Sequence, residues 1–352
     1  MFAADAPVAA RSKAAAQAAR VRQRQLTKPP GSLGMLEDLA VRFAGWQGCV
    51  TPVLERVAVR VFAADHGVCA HGISAFPQAV TCQMIANFCA GGAAISVLSR
   101  AQGFDFAVWN MGTIEPVPAM PGLIDRQVAA GSADICRGPA MTAAQLRACL
   151  QAGWEAVPPQ AQLFIGGEMG IGNTTAAAAL MAALYDLDGA AVAGAGTGLD
   201  AAGVAHKTAV IDTALARHRG GERDSLSQLR CLGGLEIAAL VGAFLGAAQR
   251  GVPVLVDGFI GGVALACAAR VNPGVLDWTL FAHCSAERAH RDLLRRLDVR
   301  PLLDLDMRLG EGSGAALAVP ILRQALALHS GMATFAAAGV SDKQGSKKGD
   351  KK

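Results

Sequence analysis

The strongest constraint on the fold is an alternation. Short apolar runs, several of them β-branched, end on polar or glycine-rich residues, and Ala-rich stretches separate them. Val57–Ala64 ends on Asp65-His66-Gly67, 104–109 on Asn110-Met111-Gly112, and 162–165 on the glycines from Gly166 to Gly170. Residues 191–193 lead to Gly194–Gly198, 252–256 to Asp257-Gly258, and 278–281 to Ala282–Ser285. Each run reads as a strand. Helical stretches lie between them, at about 79–100, 142–153, 174–185, 201–218, 233–249, 259–270 and 285–297. Strands alternating with helices of this length are βαβ units with right-handed crossovers. The expected fold is therefore α/β: a parallel, doubly wound (Rossmann-like) sheet flanked by helices.

The ends of the chain break this rhythm. Residues 8–25 are helix-like, and Thr27-Lys28-Pro29-Pro30-Gly31-Ser32-Leu33-Gly34 interrupts them before a second helix at about 35–47. A last helix is expected at about 314–329. Residues 1–50 and 311–340 thus read as two segments of a smaller helical domain, with 51–310 as the α/β domain. The tail 341–352 holds five Lys and two Asp, three of the four net positive charges, and its composition predicts disorder. The near-neutral remainder gives no electrostatic footprint for nucleic acid. Residues 67–99 contain no Asp, Glu, Lys or Arg, yet His71, Pro77, Gln78, Gln83 and Asn87 argue against a membrane span. Nine cysteines with no C-x-x-C pair read as free thiols in a reducing compartment. A soluble cytoplasmic protein is expected.

In open parallel sheets ligands bind beyond the carboxyl ends of the strands. Here those ends carry Asp65, His66, Glu168, Thr197, Asp257, His283 and Ser285. Gly166–Thr175 (GGEMGIGNTT) follows a strand and opens a helix, an arrangement that presents backbone N–H groups to an anion. It is neither a Walker A motif nor G-x-G-x-x-G. Gly194–Asp200 repeats the theme, with Lys207 in the following helix. Near the C-terminus, Glu311 sits between Gly310 and Gly312 ahead of an Ala-rich helix. It is either a helix-start acid favoured by the macrodipole or a carboxylate held up to a ligand. His283 and His290 lie seven residues apart and find no third partner of convincing spacing, so no metal is expected.

Taken together, these segments resemble the nicotinate-nucleotide–dimethylbenzimidazole phosphoribosyltransferase family of cobalamin biosynthesis. The match runs in order through TKPPGSLG (27–34), AADHGV (63–68), GEMGIGNTT (167–175), GTGLD (196–200), GGLEIAAL (233–240), VDGFI (256–260), HCSAERAH (283–290), MRLGEGSGAALA (307–318) and MATFAAAGV (332–340). The resemblance implies transfer of 5-phosphoribosyl from nicotinate mononucleotide to 5,6-dimethylbenzimidazole. The products are α-ribazole 5′-phosphate and nicotinate, with inversion at C1′. It also implies a homodimer, small-molecule substrates only, and neither cofactor nor metal. A nucleoside-phosphate hydrolase or phosphorylase, or a non-catalytic nucleotide-binding protein, is the alternative reading of the same loops.

By the same residue-by-residue match, Glu311 is the general base that takes the benzimidazole N–H proton. Glu168, Gly170, Ile171, Gly172 and Asn173 line the phosphoribosyl site. Thr197, Gly198, Lys207 and Ser285 hold the phosphate, and Ser74, Gln83, Leu309 and Gly310 bound the base pocket. Three positions depart from the family pattern: Asn110 for Asp, Asp306 for Gly and Ser313 for Thr. Asp306 is expected near the base pocket, where it bears on base preference.

Overall fold

The computed structural model describes residues 2–196 and 198–341. The chain divides into two compact units: Met1–Ala9 with Arg56–Ala318, and Ala10–Glu55 with Val319–Lys352.

The larger unit is built on six parallel strands: β1 (Val57–Ala64), β2 (Asp105–Gly112), β3 (Leu123–Asp125), β4 (Leu163–Met169), β5 (Val254–Val256) and β6 (Thr279–Phe281). Their order is β3-β2-β1-β4-β5-β6, so the direction of winding reverses between β1 and β4. All eight residues of β1 are buried, as the central strand of a sheet covered on both faces requires. Its one charged member, Arg60, lies along the strand and donates to the Val59 and Asp105 carbonyls and the Asp105 carboxylate. A two-stranded parallel ladder, β7 (His283–Cys284) with β8 (Leu303–Asp304), stands apart from the main sheet.

Under the sheet runs the helix Leu235–Arg250, buried at every residue from Leu235 to Ala248. Gly166 in β4 leaves the space that the Leu240 and Phe244 side chains fill. The helix Ala143–Ala156 meets Leu235–Arg250 almost backbone to backbone. A Cβ on Gly153 would strike the Ala239 carbonyl, and one on Gly242 the Leu150 carbonyl. Only glycine permits that approach.

The sequence misplaces several boundaries. Residues 191–193 are not a strand: Asp188 accepts from the Ala191 N–H and caps a four-residue helix, Gly189–Val192. The stretch Ala79–Gln102 is long and apolar enough to cross a bilayer by composition. The chain turns at Gly91, with φ 82°, into two helices, Ala79–Ala90 and Ala94–Gln102. The helix expected over 233–249 starts at Leu235, after a separate helix Ser225–Leu232, and the helix expected from 285 starts at His290. β3, β7 and β8, of three, two and two residues, are too short for periodicity to reveal.

In the smaller unit the helices Lys13–Gln25 and Met35–Gln47 are joined by the Thr27–Gly34 segment. A Lys28–Glu37 ion pair of 2.6 Å closes that turn, and Glu37 also accepts from the Leu33 N–H. His329 uses both ring nitrogens: Nε2 donates to the Val50 carbonyl and Nδ1 accepts from the Gln23 amide. The tail beyond Ser341 lies outside the described residues.

Candidate active site

A cavity of about 300 Å³ opens at the carboxyl ends of β4, β5 and β6. Its walls come from four segments, Glu168–Thr174 at the end of β4, Gly258–Ile260 after β5, His283–Glu287 after β6, and Arg308–Glu311, together with Phe76 and Gly196.

The first wall begins inside the sheet. Gly166 and Gly167 belong to β4, not to a loop, so only Gly170 and Gly172 shape the turn. Gly170 leaves room for the Ala64 carbonyl and the His66 ring; Gly172, with φ 95°, starts the helix Asn173–Tyr185. That helix start carries no side-chain cap; the Asn173 and Thr175 N–H groups donate to the Gly170 and Gly172 carbonyls, and the positive end of the helix dipole still favours an anion there. Beside it, the Lys207 ammonium donates to Thr174 Oγ1 at 2.9 Å. Lys207 is 1% exposed. Burial pushes its pKa down to about 8, against a smaller opposing pull from Glu287.

The opposite wall has unusual backbone. Gly310, Glu311 and Gly312 are all left-handed, with φ 84°, 65° and 86°. The glutamate lies between two residues that adopt this region freely, in a conformation that costs a side-chain-bearing residue roughly 1–2 kcal/mol. Three contacts hold the turn. Asp257 Oδ1 accepts from the Ala315 N–H at 2.7 Å and Oδ2 from the Gly312 N–H at 3.3 Å. Ser313 Oγ donates to the Gly310 carbonyl at 2.6 Å. Gly167 has no Cβ, and the Glu311 carbonyl occupies the space one would fill.

Electrostatically the cavity is a cluster of buried acids. Burial raises the Glu311 carboxyl to about 6; the Ile95 backbone N–H opposes that shift, and the Asp257 charge adds to it. Glu311 Oε2 has no hydrogen-bond partner among the described residues. Burial, then the charges of Asp257, Glu236 and Glu311, lift Glu168 well above the usual carboxylate range, although Asn173 donates to it. Asp257 is raised too, chiefly by burial. His290 accepts from the Ser285 N–H at 2.8 Å, and burial pushes it down to about 3, so it is neutral at pH 7. His283 Nε2 stands 3.8 Å from Asp257 Oδ1.

Of the expected site residues, the cavity brings together Glu168, Gly170, Ile171, Asn173, Ser285, Leu309, Gly310 and Glu311. Gly172 and Lys207 are not in the wall, but Lys207 donates to Thr174, which is. Ser74 and Gln83 are not in the cavity wall: Ser74 Oγ accepts from the Phe76 N–H at 3.2 Å, Gln83 is exposed, and Phe76 itself lines the opening. Gly198, with φ 118°, is likewise outside the wall, and Thr197 falls outside the described residues. Phe76 is a wall residue that no motif marked; Phe259 and Arg308 lay inside matched motifs without being assigned a role. Asp257 and His283 were legible as polar residues at strand ends, within matched motifs but without a role in the site.

The departures also find places. Asn110 donates to Asp125 and accepts from the Gly112 N–H, tying β2 to β3. Asp306 is exposed and is not itself part of the cavity wall, which Arg308 and Leu309 join two and three residues further on. Its φ of 54° is the left-handed conformation for which glycine is usual and which Asp tolerates. Ser313 is the loop clasp described above.

Two other features carry less chemistry. A hollow of about 830 Å³ lies among residues 182–232. Its acids are already spent on local structure: Asp188 caps a helix, Asp212 accepts from the Gly189 N–H and Glu222 from Ser227. Among the described residues, His71, Asp134 and Cys136 bring three donor atoms within 4.8 Å. A direct 2.9 Å bond between His71 and Asp134 accounts for that approach.

Comparison with known proteins identifies the family. A family model described as phosphoribosyltransferase matches residues 8–340. Nicotinate-nucleotide–dimethylbenzimidazole phosphoribosyltransferase of Xanthomonas euvesicatoria is 58% identical over 329 residues, 92% of this chain and 94% of its own. The Pseudomonas aeruginosa enzyme of the same name is 58% identical over 326 residues, 92% of this chain and 93% of its own. The crystal structure of the Thermus thermophilus enzyme superposes with a TM-score of 0.88 at 44% identity, covering 94% of this chain and 99% of that one.

Proposed function

We infer the following function for a chain that belongs to the nicotinate-nucleotide–dimethylbenzimidazole phosphoribosyltransferase family. The protein is a phosphoribosyltransferase that moves 5-phosphoribosyl from nicotinate mononucleotide to 5,6-dimethylbenzimidazole, releasing nicotinate, in cobalamin synthesis. The finer assignments that follow are our proposal.

The phosphate sits at the start of the helix Asn173–Tyr185, with Thr174 and Lys207 supplying charge and hydrogen bonds. The ribose faces Glu168 and Asn173. The flat acceptor base lies toward Phe76 and Leu309, which line the opening and are half exposed. Its unprotonated ring nitrogen attacks C1′ as the bond to nicotinate breaks, from the face opposite the leaving group, so β becomes α. The electron pair of the C1′–N bond neutralises the departing pyridinium. As the acceptor becomes cationic, its other ring nitrogen passes its proton to Glu311.

The observation that carries this reading is the Glu311 carboxyl. It lines the cavity across from the anion-binding turn, has an oxygen without a partner among the described residues, and titrates near 6. Such a group is ionised at pH 7 yet more basic than an ordinary carboxylate, which is what a general base needs. Incubation with nicotinate mononucleotide, with and without dimethylbenzimidazole, tests it. Nicotinate release should require the base, and proton NMR of the product should show the α anomer. Release at the same rate without the base overturns the reading.

We further propose a homodimer in the cytoplasm, supported by the family resemblance and by cysteines that are all free thiols. Sedimentation velocity of the purified protein checks the assembly.

A further inference from the structure

Among the described residues, Asp257 is the only side chain that grips the Glu311 turn from another strand end at two points. It follows β5, yet its two oxygens accept from the N–H of Gly312, inside the left-handed turn, and of Ala315, in the first turn of the helix beyond. A run of left-handed residues containing a glutamate persists only where its surroundings over-determine it. Here the surroundings are specific. Gly167 lets the Glu311 carbonyl lie on β4, and Gly314 leaves the space that the His283 ring fills behind Asp257. Asp257 is buried, at 4% exposed.

We propose that Asp257 is a positioning residue for the phosphoribosyl transfer: it fixes the Gly310–Gly312 turn so that the Glu311 carboxyl faces the acceptor base. This rests on the reading of Glu311 as the general base. The competing account is that Asp257 is a helix cap whose loss costs stability alone. The two differ in what they do to Glu311. A positioning carboxylate beside a base both orients it and, by its charge, makes it harder to ionise. The other groups facing Glu311 are Glu168 from β4, the Ile95 N–H at the start of the helix Ala94–Gln102, and His283 behind Asp257. Arg308 is turned to the Gly196 carbonyl.

Asp257→Asn keeps the shape and one acceptor while removing the charge and one clasp. The expected result is a loss of about 10²-fold in kcat, with KM for nicotinate mononucleotide little changed. The acid limb of the residual kcat–pH profile should move down by about half a pH unit. The acceptor base titrates as well, but identically in every variant. Wild-type kcat, or a lowered kcat whose acid limb does not move, overturns the proposal. Asp257→Ser, which keeps an acceptor in a smaller side chain, is measured alongside. If Asn does not fold, the same limb shift is required of Ser. Glu311→Gln run in parallel separates the two ideas. An active Glu311→Gln sinks the base assignment itself, whereas an inactive one beside a normal Asp257→Asn sinks only the positioning role.

Discussion

Two glycine-rich segments face each other across the cavity, and they use glycine for opposite reasons. In Gly166–Gly172 most of the glycines are there for what lies against them: Leu240 and Phe244 at Gly166, the Glu311 carbonyl at Gly167, the Ala64 carbonyl and His66 at Gly170. In Gly310–Gly314 the first two glycines are there for their own backbone, both left-handed, and they flank a glutamate forced to match. The first segment is close-packed. The second is conformationally costly and holds a buried carboxylate. The difference teaches that glycine count marks a site's neighbourhood but not its mechanism.

Substitutions can break this contrast. The largest effect should come from Glu311→Gln, with kcat reduced about 10²–10⁴-fold and nucleotide affinity nearly unchanged, read by steady-state kinetics and calorimetric titration. Gly167→Ala comes next. A methyl there displaces the Glu311 peptide, so a substitution on the packing side should injure the catalytic side, lowering kcat by about 10²-fold. An unchanged kcat for Gly167→Ala would break the link between the two walls. Lys207→Met should act on the anion side alone, reducing kcat/KM for nicotinate mononucleotide by about 10–100-fold through loss of a charged hydrogen bond. Because Lys207 titrates near pH 8, wild-type kcat/KM should also fall as pH rises through that value.

The smallest effects concern stability. Gly312→Ala should cost roughly 1–2 kcal/mol by strain at φ 86°, seen as a lowered urea midpoint. Glu311→Gln should do the reverse at neutral pH. The folded-state pKa of Glu311 lies near 6, above the ordinary 4.5. The folded state therefore binds the proton more tightly, and ionisation costs stability progressively as pH rises through that interval. The variant should exceed wild type by about 1–2 kcal/mol above pH 6, and the gain should vanish below pH 4.5. A constant difference across pH would remove burial as the cause of the raised pKa.

The sequence conveyed some of this and hid the rest for identifiable reasons. β1, β2 and β4 were legible because strands covered on both faces are continuous apolar runs. Residues 191–193 are also apolar, but a capping Asp188 made them helix, and three small residues carry no period to tell the two apart. The Gly166–Thr175 segment was visible as a motif, although two of its glycines proved to be strand. Glu311 was visible as an acid between glycines. Its left-handed backbone, the hydrogen bond from its neighbour Gly312 to Asp257 and its raised pKa involve segments far away in sequence, at Gly167 and Asp257, and no local pattern encodes them. Ser74 and Gln83 entered through resemblance alone, and the cavity wall holds Phe76 in their place.

The first residues of the chain belong to the larger unit, while Ala10–Glu55 belong to the smaller one. This leading segment is tied down along its length: Phe2 N–H to Gln151, Ala6 carbonyl to Asn272, Ala9 N–H to the Ala248 carbonyl, and the Trp278 indole N–H to the Ala9 carbonyl. Trp278 is among the largest fully buried side chains. Limited proteolysis or truncation would therefore not yield the catalytic unit as one fragment. A piece starting at Arg56 would lack the strap over Trp278, and that indole's fluorescence would redden as water reached it.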